Sequence, residues 1–290
     1  MTRRIDAHHH VWDLAVRDQP WIAGHAMAPL RRSFGIDDLA PDAAATDVTA
    51  TVVVQTVADV DETEELLDLA QATPLIAGVV GYVDLAAPDV GEQLDQLQAR
   101  PSGGWLVGIR SLVQDEPDPR WLARPAVLAG LREVARRDLA YDLLVRVHQL
   151  ECARIAVTQV PEGRYVVDHL AKPAIASGAW EPWASGLAAL AACANVSAKL
   201  SGLVTEASWD TWTTGDLRPY VEHAVATFGP DRLMFGSDWP VCTLAAPYGR
   251  VVTAVDELVA GLSTSERAVV MGGTAATVYG LPDDLAKAIP

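Results

Sequence analysis

The stretch Ile5-Asp6-Ala7-His8-His9-His10-Val11-Trp12 reads as a β-strand that carries its own chemistry. Side chains of an extended strand alternate between two faces. That places Asp6, His8 and His10 on one side and Ile5, Ala7 and His9 on the other. Two imidazoles and a carboxylate on one strand face are a ligand arrangement for a divalent metal. A tag fragment or a solvated polar patch would also bring histidines together, although a tag is usually longer and is not followed by Val-Trp-Asp. The rest of the chain decides between these readings.

Working outward, short β-rich runs recur with helical stretches between them. The strands expected are Arg4–His10, Ala50–Val57, Leu75–Val83, Leu106–Leu112, Tyr141–Val147, Tyr165–Leu170, Val196–Leu203 and Leu233–Asp238. Val52-Val53-Val54 and Leu143-Leu144-Val145 are unbroken apolar runs, as parallel strands covered on both faces require. Asp59–Ala72, Asp89–Arg100 and Pro125–Asp138 read as helices, the last opening on proline with Leu128, Leu131 and Val134 on one stripe. Glu151–Val160, Trp180–Ala194, Leu217–Phe228 and Val251–Leu262 continue the alternation, and Ser265–Met271 leads through Gly272-Gly273 into a last helix, Thr274–Tyr279. Eight strands alternating with helices predict a single (β/α)8 barrel over residues 1–290, with an additional C-terminal helical segment. An open doubly wound sheet is the rival, but no G-x-G-x-x-G or Walker loop follows any strand.

Composition narrows the function. The chain has 290 residues, 50% of them hydrophobic and 21% charged, enough for a large core. Lys+Arg 22 against Asp+Glu 38 leaves a net charge of −16, which disfavours nucleic acid and anionic membranes as partners. Three cysteines, Cys152, Cys193 and Cys242, lie far apart with no C-x-x-C pair, so a reducing, cytoplasmic setting is expected. There is no secretory h-region, and the longest clean apolar run, Pro74 to Val83, is too short to span a bilayer.

In a barrel of this type the active site lies where the strands end. The first ends in His8 and His10, the second near Gln55 and the fourth in Gly108-Ile109-Arg110. His148 follows the fifth, Asp168-His169 ends the sixth, Lys199 sits on the seventh and Ser237-Asp238-Trp239-Pro240 follows the eighth. Nine tryptophans among 18 aromatic residues are a further skew. Trp12, Trp21, Trp209, Trp212 and Trp239 all fall after strands, where indole faces can pack on the C–H face of a sugar ring; ordinary loop packing is the competing role.

With D-x-H-x-H on the first strand, a histidine after the sixth and an aspartate after the eighth, the chain resembles the amidohydrolase superfamily. More closely it is similar to the sugar-lactone hydrolases, the L-fuconolactonase and L-rhamnonolactonase-like enzymes related to 2-pyrone-4,6-dicarboxylate hydrolase. The phrases that carry the resemblance are Ile5–Asp13, Gly108-Ile109-Arg110 with Val113–Pro117, Tyr141–Leu144, Asp168–Pro173, Lys199–Glu206 and Phe235–Cys242. Departures are Ser111, where the family pattern often has histidine, and Gly272-Gly273-Thr274-Ala275 in place of a closing G-G-N-A, where Thr274 is expected to cap the last helix.

The resemblance implies hydrolysis of an aldonolactone of the fucono or rhamnono type to the sugar acid. His8, His10 and Asp238 are expected to hold one divalent ion, by chemistry zinc; no lysine on the fourth strand is available to bridge two metals. A relic ligand pair that only orders the pocket is the competing reading. Asp238 is the expected general base, with helix capping as its alternative role. His169 is placed beside the lactone carbonyl, and Arg110 as donor to a carbonyl or carboxylate, against a buried histidine and a buried ion pair respectively. Trp12, Trp21, His148, Lys172, Lys199 and Trp239 complete the expected substrate contacts. A homo-oligomer is compatible with the sequence. The alternatives are a pyrone-dicarboxylate type hydrolase, a decarboxylase of the superfamily and, from another class, a catalytically silent sugar-binding barrel.

Overall fold

A computed structural model describes residues 4–282. Its eight strands are β1 (Arg4–His9), β2 (Val48–Val54), β3 (Ile76–Gly81), β4 (Leu106–Ser111), β5 (Ala140–Leu143), β6 (Arg164–Val167), β7 (Val196–Leu200) and β8 (Leu233–Phe235). They form one sheet in sequence order with every neighbouring pair parallel. The sheet closes on itself just past β8: Asp238 N donates to His8 O at 2.8 Å and His10 N donates to Trp239 O at 2.7 Å. This is the (β/α)8 barrel that the alternation predicts.

The helices are α1 (Ile36–Ala45), α2 (Val60–Ala72), α3 (Val90–Ala99), α4 (Pro125–Arg136), α5 (Leu150–Gln159), α6 (Trp183–Ala191), α7 (Leu203–Glu206), α8 (Thr214–Phe228), α9 (Tyr248–Leu258), α10 (Thr264–Ala268) and α11 (Thr274–Val278). Every expected helix is present, with ends shifted by up to four residues. The sequence reading omits α1, a helix that carries Pro41 inside it. Gly35 and Asp38 start that helix: the Gly35 amide donates to the Asp38 carboxylate at 2.9 Å. The expected start of α8 is three residues late, since Thr213 N donates to Asp216 and opens the helix upstream of Leu217.

Two apolar layers follow. Leu and Val side chains of α2 to α9 pack on the outward faces of the strands. A second cluster fills the barrel's lower interior, with Ile5, Ala7, Val52, Val54, Val80 and Met234 joined by Tyr279 and Leu281 from beyond α11. The C-terminal segment therefore plugs the barrel floor. Thr274 does not cap α11, because a π-turn over Val269–Gly273 makes α10 and α11 continuous. Its hydroxyl instead donates to Asp231 O at 3.3 Å, pinning the segment beneath β8. Among the described residues no helix is long and apolar enough to cross a membrane.

Candidate active site

The site begins with an irregularity in β1. Ile5 and Ala7 face the barrel interior, but pairing with β2 slips between Asp6 and His9. A bulge of this kind reverses the alternation locally. Ala7 and His8 consequently both turn inward, His9 turns outward to Thr51 Oγ1 at 2.9 Å, and His10 turns in again. Asp6 does not share the histidine face, contrary to strict alternation. It lies buried under α9, where Oδ1 accepts from Ser237 N at 2.8 Å and His8 N at 3.1 Å, and Oδ2 accepts from the Tyr248 hydroxyl at 3.1 Å. Burial raises its carboxyl to about 6 against the pull of those donors.

At the C-terminal mouth, His8, His10 and Asp238 converge. Nε2 of His8 and Nε2 of His10 are 3.2 Å apart, and Asp238 Oδ1 stands 3.4 Å from the His10 nitrogen and 3.7 Å from that of His8. His169 Nε2 is 3.9 Å from the same oxygen. Burial alone would raise the Asp238 carboxyl, but His169, His10 and His8 around it hold it well below the usual range, so it is ionised. Burial also depresses the His8 imidazole far below its ordinary value and His169 to about 4. Both rings are neutral near pH 7.

The three donor atoms fit a divalent ion. With bonds of about 2.0–2.1 Å, tetrahedral ligands lie about 3.3 Å from one another. His10 Nδ1 donates to Val54 O at 2.7 Å, which leaves its Nε2 lone pair free to bind metal. Asp168 Oδ1, buried and without a hydrogen bond, stands 3.3 Å from His8 Nδ1, where it can accept that ring's proton.

Beneath the histidines runs a fully buried ionic column. Arg110 of β4 contacts Asp168 Oδ2 at 3.1 Å, donates to Gln55 O and stands 3.3 Å from His8 Nε2. Lys199 of β7 bonds Asp142, lies 3.0 Å from Asp168 Oδ1 and 3.1 Å from His8 Nδ1. Below it the Tyr279 hydroxyl donates to both oxygens of Asp142 at 2.9 Å. Two carboxylates and two cations balance, as charges removed from water must. Burial pushes the Asp142 carboxyl up to about 6 against the Lys199 ammonium. Burial acts the same way on Asp168, but Lys199, His8 and Arg110 outweigh it and hold Asp168 well below the usual range.

The strand exits are built with unusual backbone. His169, Leu170, Ala171 and Lys172 all have positive φ, between 49° and 60°, and so does Asp238 at 58°. A non-glycine residue in this region costs about 1 kcal/mol or more and persists where packing over-determines it. The turn swings His169 toward Asp238. Gly202 faces it at φ 63°, and a Cβ there would sit 2.6 Å from His169 Nδ1. His169 Nδ1 bonds the neighbouring Ser201 hydroxyl at 2.8 Å. Gly236 is required for a similar reason, since its Cβ would meet His8 Cβ at 2.8 Å.

A cleft of about 100 Å³ opens above this floor. His10, Arg110, His169, Lys172, Asp238 and Trp21 line it, as expected of candidate site residues. Four of the expected substrate contacts do not line it. Trp12 and Trp239 are 6% and 3% exposed and pack on either side of Phe34, with ring centroids 5.1 and 5.6 Å away. They hold the loop that presents Trp21, whose ring meets Trp12 edge-on at 5.5 Å. Lys199 lies below His8, wholly buried, and is a network residue rather than a substrate contact. His148 is exposed and outside the cleft, because β5 ends at Leu143 and leaves His148 in the turn before α5. Trp212 is buried with its indole N–H on Ala245 O at 3.0 Å, and the half-buried Trp209 donates to Thr205 O at 2.9 Å.

Sequence reasoning missed several residues. Thr56, Gln114 and Asp115 line the cleft. Glu62, from α2, is buried behind Thr56 and accepts from its amide at 2.9 Å and from its hydroxyl. Gln114 and Asp115 stand in the Val113–Pro117 phrase but are given no role there, and no motif announces Thr56 or Glu62; an acidic residue in the first turn of a helix reads only as dipole chemistry.

An amidohydrolase family model matches residues 5–281. The chain belongs to the amidohydrolase family. Within it, the chain is 40% identical over 291 residues to an L-fucono-1,5-lactonase of Burkholderia multivorans, covering 97% of each. It is also 40% identical to an L-fucono-1,5-lactonase of Burkholderia ambifaria, covering 86% of this chain and 84% of that one. A solved amidohydrolase from Burkholderia multivorans with bound zinc superposes with a TM-score of 0.90 at 40% identity, covering 97% of this chain and 100% of that one.

Proposed function

We propose that this amidohydrolase opens a sugar 1,5-lactone of the fucono type to the corresponding sugar acid. The observation that carries the reading is Asp238: an ionised carboxylate on the cleft floor with three imidazoles within 3.4–3.9 Å of Oδ1. The similarity to L-fucono-1,5-lactonases supplies the substrate class.

His8, His10 and Asp238 would hold one divalent cation, zinc by the match of donor types and spacing and by the zinc in the Burkholderia multivorans structure. Such an ion supplies Lewis-acid charge and makes water easier to deprotonate. In the reaction Asp238 takes a proton from the attacking water as its oxygen bonds to the ring carbonyl carbon. Arg110, immobilised by Asp168 and Gln55, places fixed positive charge where the oxyanion develops. His169, neutral and fixed by Ser201, orients the water beside Asp238. The carbonyl carbon to ring oxygen bond then breaks and the ring oxygen takes up the proton that Asp238 removed from the water, giving the hydroxy acid and restoring the Asp238 carboxylate.

Recognition falls to the cleft walls. Trp21 offers an indole to the sugar ring. The Thr56 hydroxyl proton is committed to Glu62, so its oxygen presents only an acceptor to a substrate hydroxyl. A pyrone dicarboxylate suits the cleft less well. Arg110 is ion-paired with Asp168, which leaves Lys172 as the one lining lysine or arginine without an ion pair among the described residues. Cys152, Cys193 and Cys242 are unpaired, in keeping with a reducing cytoplasm.

A panel of aldonolactones followed by proton release tests the reading. Activity is expected on deoxyhexono-1,5-lactones, and Asp238→Asn should lower kcat about 10²–10⁴-fold. Unchanged hydrolysis by Asp238→Asn would remove Asp238 from the mechanism.

A further inference from the structure

A second cavity, of about 400 Å³, lies between the loop that follows β1 and the helices α1 and α2. Small-molecule sites of other proteins fall in this size range. The cavity shares no lining residue with the cleft but backs onto it. Gln19 and Glu62 line the cavity, and they bond Trp21 and Thr56 of the cleft.

Gln19 is 1% exposed, yet only half of its amide is engaged. Its Oε1 accepts the Trp21 indole N–H at 2.8 Å, while Nε2 donates to nothing among the described residues. A buried amide donor is ordinarily paired, so one left free beside a cavity calls for an acceptor there.

Charge sets what that acceptor can be. Four carboxyl groups, of Asp13, Asp37, Glu62 and Glu65, line the cavity against one guanidinium, that of Arg17. Arg17 is already bonded to Asp59 at 2.7 Å and to Glu65 at 2.8 Å. A carboxylate or phosphate therefore meets repulsion and no free cation. An ammonium only donates and has nothing to offer Gln19 Nε2. What remains is an uncharged oxygen, carried on a body whose C–H faces pack on Trp12, Leu66 and Leu69.

We propose that this cavity is a second ligand site, which takes an uncharged, hydroxylated ring molecule and presents Gln19 Nε2 to one of its carbonyl or hydroxyl oxygens. The site excludes anions, the open sugar acid among them, and it stands whether or not the cleft opens a lactone.

The experiment titrates the full chain, labelled with ¹⁵N-tryptophan, with L-fucono-1,5-lactam, which is uncharged and resists hydrolysis. The indole N–H of Trp12, on the cavity wall, reports the second site, and that of Trp21 reports the cleft. The Trp12 resonance should shift and saturate with the lactam and stay unmoved by L-fuconate. Gln19→Glu keeps an acceptor for Trp21 but replaces the free donor with a carboxylate, and should weaken the Trp12 response at least about tenfold. Leu69→Trp fills the cavity from α2 and should abolish it. Dispersed indole resonances verify that each variant is folded, and either variant decides. A Trp12 resonance unmoved by the lactam, a response unchanged in the variants, or an equal response to L-fuconate overturns the second site. Lactam binding seen at Trp12 but not at Trp21 supports it and counts against the lactone reading of the cleft.

Discussion

Asp6 Oδ1 accepts the backbone amide of Ser237 at 2.8 Å and thereby ties the first strand of the barrel to the turn after the last. The same oxygen accepts the amide of His8, so one carboxylate fixes the backbone beside both a histidine and Asp238, the proposed base. Asp6→Ala leaves three buried donors without their acceptor, and we expect a loss of about 3–5 kcal/mol with most of the lactonase activity. Asp6→Asn keeps an acceptor toward the amides and should fold with a loss of about 1–2 kcal/mol. Urea unfolding of both variants decides: equal losses would mean that the hydrogen bonds at Asp6 are not what joins the strands.

His9 gives the fold an acid limit. Burial lowers its imidazole from 6.5 to about 3. A base with a depressed folded value binds fewer protons folded than unfolded. Its contribution is therefore complete above pH 6.5 and declines as pH falls through 6.5 toward 3, at up to about 1.4 kcal/mol per unit. His9→Gln, which retains a donor for Thr51, should flatten that slope by about one proton. Chemical denaturation at pH 7 and pH 4.5 measures it. A variant with the wild-type slope would point to another group.

The tryptophans divide by role. Trp21 lines the cleft, so Trp21→Ala should raise KM about tenfold with little change in kcat or stability, the pattern of uniform binding. Trp12, buried against Phe34 with its indole N–H on Arg32 O at 2.7 Å, should behave in the opposite sense. Trp12→Leu is expected to cost about 2–4 kcal/mol of stability. Steady-state kinetics and melting curves on the two variants separate the roles. A KM effect confined to Trp12→Leu would reverse the assignment.

What could be read from the chain and what could not divides along physical lines. The eight strands were legible because parallel barrel strands bury both faces and read as apolar runs. Arg110, His169 and Asp238 were legible because each is the polar residue at a strand exit. The bulge in β1 was not: it costs one irregular pairing step, leaves no signature in residue type, and moves Asp6 to the opposite face from His8. Trp12 and Trp239 resembled Trp21 because loop residues carry no periodicity to show which way they point. Lys199, Asp142 and Tyr279 belong to one column only because β5, β7 and the segment after α11 meet at the barrel axis, contacts that span 57 and 137 residues.

Gly202 has little freedom to change. Its φ of 63° suits glycine, and a Cβ would lie 2.6 Å from His169 Nδ1 and 3.2 Å from Asp238 Oδ2. Gly202→Ala combines about 1 kcal/mol of backbone strain with a clash that the buried ring relieves only by moving. The Ser201 bond to His169 and the approach of His169 to Asp238 should both loosen. We expect kcat to fall at least tenfold while stability drops about 1–3 kcal/mol. Ser201→Ala removes the same bond without a clash and should lower kcat with less destabilisation. Assays of the two variants at matched folded fraction separate position from stability. Full activity in Ser201→Ala would show that the Ser201 bond does not orient His169.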